Sequence, residues 1–293
     1  MRKKRLLRIA LFLCVLLLPL EAESMDESII RRVRIVECHN SPSAQLLLVW
    51  MGRTMGGLAD DLPVWQTLQA GTEEEHEALN RASVIGIYDI LFTGSEEHVR
   101  NLELQQLLRG TCPLFEERLI LVGPPDKASE MKDLGILDMM KKIAAEEYLF
   151  FNQYKISWID EAARSLFSQA ESPPDGNRQF VEIGREHVDA LMQAGDEGAF
   201  ILAGEATFAQ YHDLQRDEEK LVKLRDTGIS RTSYVCLMAN AGFRRERTAT
   251  ADKYFEWLAS EEAKRTIEEF EIGGIRPFKA VRRSALEKLP GSR

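Results

Sequence analysis

The chain has 293 residues, 44% hydrophobic and 29% charged, with 38 Lys+Arg against 47 Asp+Glu and a formal net charge of -9. The apolar fraction is ordinary for a globular chain of one large or two smaller domains, and ten Pro with 19 Gly exclude a collagen-like or low-complexity chain. The acidic balance excludes a general nucleic-acid binder, which needs clustered Lys and Arg to displace counterions.

Residues 1–22 stand apart from the rest. The basic cluster Arg2-Lys3-Lys4-Arg5 with Arg8 precedes the apolar run Ile9 to Leu20 and then Ala22. That order predicts a secretory signal peptide cleaved after Ala22, and the run is short for a bilayer span of about 20 residues. An uncleaved anchor is the alternative; either places the body of the chain outside the cytoplasm. Removing five of the 38 basic residues and one of the 47 acidic ones leaves a mature charge of -13 and three cysteines, Cys38, Cys112 and Cys236. An odd count leaves at least one free thiol or an intermolecular bond, and no CxxC pair suggests a metal knuckle.

Val33 to Cys38 alternates and is β-branched, which predicts a first strand. A turn-rich loop, His39 to Ser43, follows, and Ala44 to Met55 has helical spacing. Leu62 to Ala70 is extended, and Gly71-Thr72 opens a helix, Glu73 to Arg81, with three acids in its first turn. Val84 to Phe92 reads as a buried parallel strand, and Thr93-Gly94-Ser95 caps a helix over 96–108. Strand, helix, strand, helix in this order implies an α/β domain.

Arg118 to Val122 is a strand stopped by Gly123-Pro124-Pro125, followed by helices at 135–147 and 157–170. After a loop at 172–177, the reading is strand 179–183, helix 186–194, strand 198–202, and a helix begun by Thr207-Phe208. Two short strands are predicted at 221–224 and 234–239, then amphipathic helices at 249–258 and 260–270, with Ser260 capping the second.

Several segments, in order, resemble the extracytoplasmic tungstate- and molybdate-binding proteins of ABC importers. They are Ala70-Gly71-Thr72 before a helix; Ile87-Tyr88-Asp89-Ile90-Leu91-Phe92; Leu119 to Asp126 with its Val-Gly-Pro turn; Gly198 to Leu202; Thr207-Phe208; and Tyr254 to Glu262. The likeness spans most of residues 33–280. It implies a type II periplasmic-binding-protein fold: two α/β lobes with mixed, mostly parallel sheets joined by two crossover strands. Lobe one would be 30–117 plus 236–289, and lobe two 118–235. The resemblance further implies a monomer that holds a small anion, tungstate- or molybdate-like, between its lobes and hands it to a membrane ABC permease, with no cofactor.

An anion between lobes needs N–H and hydroxyl donors at helix starts and strand ends, ideally with one Arg. Four loops are candidates: Asn40, Ser41 and Ser43 after strand one; Gly71 and Thr72; Asn152 to Ser157; and Arg231 to Tyr234 at the second crossover. In the third loop Gln153 stands where the family has an Arg and Ile159 where it has Thr, and Glu205 replaces another Arg. A Gln keeps a donor but loses the charge, and a hydrogen bond to a charged group contributes about 1.5–3 kcal/mol against about 1 for a neutral pair. Lys155 or Arg231 supplies the missing charge in this reading.

An enzyme is the second class weighed. Glu73 to His76 and Cys38-His39 cluster titratable groups, but neighbours in a strand point to opposite faces and no HExxH, GxSxG or P-loop pattern occurs. The five histidines lack metal-ligand spacing. A third class is a sensor or adaptor ectodomain that keeps the fold and has lost oxyanion binding. The sequence therefore predicts a binding protein without catalytic or metal-ligating residues.

Overall fold

A computed structural model describes residues 34–38, 47–48, 51, 64–67, 88–153, 157–174, 178–215, 218–239 and 245–281. Nine strands among them form one sheet in the order β2-β1-β3-β8-β4-β7-β5-β6, with β9 paired to β4. The strands are β1 (Arg34–Cys38), β2 (Val64–Thr67), β3 (Ile90–Thr93), β4 (Leu108–Gly123), β5 (Phe150–Asn152), β6 (Phe180–Glu182), β7 (Phe200–Gly204), β8 (Val222–Met238) and β9 (Phe278–Ala280). The helices are α1 (Glu96–Leu104), α2 (Pro125–Met131), α3 (Ile136–Ala145), α4 (Ser157–Gln169), α5 (His187–Glu197), α6 (Glu205–Leu214), α7 (Arg245–Leu258) and α8 (Glu261–Glu269). None of the described helices is long and apolar enough to cross a membrane.

Two parallel triplets flank the centre. In one, β1 pairs with β2 and β3; in the other, β5 pairs with β6 and β7. The apolar runs read from sequence are their inner strands, with β3 and β7 buried along their whole length. That is what a strand covered on both faces requires. Between the triplets run β4 and β8, antiparallel to each other from Leu108↔Met238 to Gly123↔Val222. β8 pairs with β3 near its end, Thr93↔Tyr234 to Ile90↔Leu237, and β4 pairs with β7 near its end, Leu119↔Gly204 to Val122↔Ile201.

The two long strands depart from the sequence reading, which expects a strand of five residues at 118–122 and two separate ones at 221–224 and 234–239. Asp226-Thr227-Gly228 lies between those two expected strands and is a bulge between the pairs Arg118↔Ser230 and Ile120↔Asp226. Gly228 takes a φ of 76°, and the Asp226 carboxylate accepts its N–H at 2.9 Å while Thr227 Oγ1 donates to the Leu119 carbonyl at 2.7 Å. Side-chain bonds thus satisfy the bulged backbone, and the strand resumes. Likewise, the helix read over 96–108 stops at Leu104, because Gln106 adopts a φ of 57° and Leu107 N–H bonds the Leu102 carbonyl, a left-handed C-terminal cap. Short β5 and β9 and helix α2 carry too few residues for a periodic pattern and were not predicted.

The caps follow the sequence closely. Ser95 Oγ accepts the His98 N–H and Ser260 Oγ the Ala263 N–H, each at 3.2 Å, with glutamates in both first turns. Ile35, Leu47, Phe92, Phe115, Val235, Tyr254, Ile267 and Phe278 share one buried cluster on the β1–β3 side, and Val36, Leu91, Leu102 and Cys236 form a second there. Leu121, Met140, Phe150, Phe167 and Phe200 pack a third on the β5–β7 side, and Phe151, Leu191, Ile201 and Tyr211 a fourth. Cys112 and Cys236 form no disulfide with each other, standing on neighbouring strands but in clusters on opposite faces of the sheet. Burial pushes the Cys236 thiol up to about 12, which makes it chemically inert.

Candidate functional site

The carboxyl ends of β3, β5 and β7 all point at the middle of the two long strands. Thr93, the last residue of β3, sits against Tyr234, and Gly204, the last of β7, against Leu119; the pair Glu117↔Arg231 lies between them. Ligands of open α/β sheets bind outside such strand ends. The junction at Glu117 and Arg231 is therefore the place to look for chemistry.

Arg231 belongs to both sides of this junction. Its Nε donates to the Gly94 carbonyl at 3.2 Å, just ahead of α1, and its guanidinium lies 5.7 Å from the ring centroid of Trp158 in the first turn of α4. The fit against Gly94 is close enough that a Cβ there would fall 2.1 Å from Nε. Burial lowers the Arg231 pKa from its ordinary value and Glu117 opposes the shift, yet an arginine stays charged at any physiological pH. Among the described residues its Nε is engaged and neither Nη group has a hydrogen-bond partner. A half-buried cation with two unengaged fork donors is suited to a carboxylate or oxyanion.

The remaining polar groups at the junction are turned inward. Gln153 donates Nε2 to the Leu202 carbonyl at 2.9 Å and accepts the His187 N–H on Oε1 at 2.9 Å. It thereby ties the ends of β5 and β7 to the start of α5, where His187 takes a φ of 53°. Glu117 is 4% exposed and takes the Ala206 N–H at 3.3 Å, so a carboxylate of the chain itself rests on the N-terminus of α6. Glu205, 4% exposed, is held by Arg118 Nε at 2.8 Å and Lys223 Nζ at 2.6 Å. Glu205 thus carries its own two cations, one from each long strand.

The other sequence candidates divide three ways. Asn152 is 1% exposed, donates Nδ2 to Asp160 at 2.5 Å and leaves Oδ1 without a partner. Tyr234 pairs with Thr93, and burial, then Glu96, raises its phenol pKa; it faces α1 rather than Arg231. Ser157 begins α4, its side chain outside the described set, and Asn40, Ser41, Ser43, Gly71, Thr72 and Lys155 all lie outside the described residues. Three residues at the junction were not predicted as site residues: Trp158, Gly94 and Glu117. Gly94 reads as part of a cap and Trp158 stands in no motif; the pattern Phe115-x-Glu117-x-Leu119, an acid on an apolar face, is the signal that could have found Glu117.

No protein-family model matches the chain, and no curated protein matches it in sequence. Solved structures do. The tungstate binding protein TupA from Desulfovibrio alaskensis G20 superposes with a TM-score of 0.67 at 17% identity, covering 86% of this chain and 99% of that one. The tungstate ABC transporter structure from Geobacter sulfurreducens gives 0.62 at 16%, covering 82% and 98%. Iron-bound HitA from Pseudomonas aeruginosa gives 0.56 at 12%, covering 82% and 86%. These descriptions name binding and transport and no catalysed reaction, and they span both an oxyanion and a metal cation, so at such identities they establish architecture. The chain has the type II periplasmic-binding-protein fold, the fold of the tungstate- and molybdate-binding proteins that its motif order resembles.

Proposed function

We propose that this chain is an exported solute-binding protein that captures a small anion in a cleft between two lobes, residues 30–117 plus 236–289 and residues 118–235, for an ABC permease. One observation supports the reading: Arg231 on β8 contacts Gly94 ahead of α1 and Trp158 in α4, and among the described residues neither of its Nη groups has a partner. A body of net charge -13 after loss of 1–22 repels anions at long range, so capture must rest on such a local, sheltered donor. The resemblance makes tungstate and molybdate the first anions to test.

A second reading has its own observation. Gln153 and Glu205, at two family Arg positions, are fully engaged within the protein. That favours an adaptor or sensing component that keeps the fold and has lost oxyanion binding. Thermal unfolding of the mature chain with tungstate, molybdate, sulfate, phosphate and small organic acids separates the two. A ligand at a thousand times its Kd adds about 4 kcal/mol of stability. The Arg231→Gln variant should lose the shift, because a charge-assisted contact contributes about 1.5–3 kcal/mol. Stabilisation by no anion at all refutes capture and leaves the adaptor reading.

A further inference from the structure

The orphaned acceptor at the end of β5 says something about the anion. Asn152 is the last residue of its strand, 1% exposed, and its Oδ1 has no hydrogen-bond partner. The orientation of the amide is set from behind. Nδ2 donates to Asp160 Oδ1 at 2.5 Å, the same oxygen that accepts Arg164 Nε at 2.8 Å, and the guanidinium of Arg164 is bonded in turn to Glu182 at the end of β6. Arg164 also lies over the Phe180 ring, 5.6 Å from its centroid. An ionised carboxylate accepts only, so turning the amide around would bring two oxygens together with nothing between them. The chain Glu182–Arg164–Asp160 therefore fixes the Asn152 nitrogen on Asp160 and leaves its carbonyl oxygen as a buried acceptor without a partner.

A buried acceptor held in place and left unsatisfied is a cost that native proteins rarely carry without a reason. Here it stands at a strand's carboxyl end, beside the first turn of α4 whose Trp158 bears Arg231. Tungstate, molybdate and sulfate, as fully deprotonated dianions, bring only acceptors to such a position. An oxygen-to-oxygen contact in a sheltered site would be repulsive.

From this geometry we propose that Asn152 Oδ1 is a specificity group that accepts a hydrogen bond from the ligand, so that the anion taken by this cleft carries a hydroxyl donor beside its charge. This rests on the reading of the cleft as an anion site and narrows its ligand class. The shared chemistry is a hydroxyl-bearing anion, whether a protonated inorganic oxyanion or a small hydroxy acid. Arg231 takes the charge, and Asn152 selects for the proton. A site built to bond a hydroxyl discriminates strongly against the analogue that lacks it.

Matched pairs test it: phosphate against sulfate, and glycolate against acetate, by calorimetry on the mature chain at pH 7. Within at least one pair the hydroxyl-bearing member should bind ten-fold or more tighter; which pair shows the preference tells the inorganic source from the organic one. Asn152→Ala and Asn152→Leu, which both remove the acceptor, should reduce the preference to within about two-fold of unity by weakening the hydroxyl-bearing member and relieving the oxygen-to-oxygen contact for sulfate or acetate. Equal affinities within both pairs for the unmodified chain overturn the proposal without touching anion capture, and need no variant to fold. Equal loss for both members of a pair in a folded variant overturns it as well. If no anion binds, the capture reading falls and this one with it.

Discussion

Gln153 and Arg231 are the two positions at the junction where a polar side chain has most to offer a ligand, and the structure uses them in opposite ways. Gln153 spends its carbonyl and an amide hydrogen on the chain itself, joining Leu202 to His187, whereas Arg231 spends one donor on Gly94 and keeps the rest. The contrast has a physical root. Gln153 is 1% exposed, and a buried amide must find internal partners, whereas Arg231 is only half-buried and is not under the same constraint. Gln153 therefore acts as a structural clamp, and Arg231 on β8 is the position with donors left over.

The largest expected effect breaks the clamp. Gln153→Ala takes this partner from the Leu202 carbonyl and from the part-buried His187 N–H, at up to roughly 1–3 kcal/mol for each. We expect about 3 kcal/mol of lost stability in urea unfolding and no change in anion affinity. A variant that keeps its stability and loses affinity would reverse the roles assigned to the two positions.

A smaller effect tests the other half of the comparison. At Gly94 a methyl group would meet Arg231 Nε at 2.1 Å, so Gly94→Ala must push the guanidinium off its carbonyl and off Trp158. If Arg231 is the anion donor, this distant-looking change should weaken binding about ten-fold, or 1.4 kcal/mol, measured by calorimetry. It should also alter the fluorescence of Trp158. Unchanged affinity together with a changed fluorescence would show that the position of Arg231 is irrelevant to capture.

These two cases also mark how far the sequence could be read. The inner strands β3 and β7 were legible as apolar runs, and the starts of α1 and α8 as serine caps with acids behind them, because those signals are local. The long strands were not, since β4 and β8 are half-exposed through their middle and hold each other by pairing across more than 100 residues, with Thr227 and Gly228 absorbing a bulge. Arg231 was legible as a charge at the crossover. Gly94 was not: what it contributes is the absence of a Cβ, which no motif records. Asn152 was found as a loop donor, but its role as a fixed acceptor depends on Asp160, Arg164 and Glu182, contacts set by the packing of α4 on β5 and β6.

The smallest expected effect lies on the clamp's far end and is read by pH. Burial lowers the His187 pKa from its ordinary value, with Glu186 and then Asp189 opposing. The folded state thus prefers the neutral imidazole, while the unfolded chain binds a proton near pH 6.5. Above that value both states hold the same number of protons and the group adds no pH dependence. As pH falls below it the unfolded chain takes up the proton first, so stability declines until the folded-state pKa is passed. His187→Asn removes the titration and suits a φ of 53°, which Asn tolerates better than most residues. Chemical unfolding between pH 7.5 and 5 should show a decline in the unmodified chain that is shallower in the variant. Since Gln153 grips the backbone N–H of His187 and not its ring, the variant should keep the clamp, and its stability at pH 7.5 should be at least that of the unmodified chain. A loss there instead would mean that the imidazole, and not only the backbone, supports the start of α5.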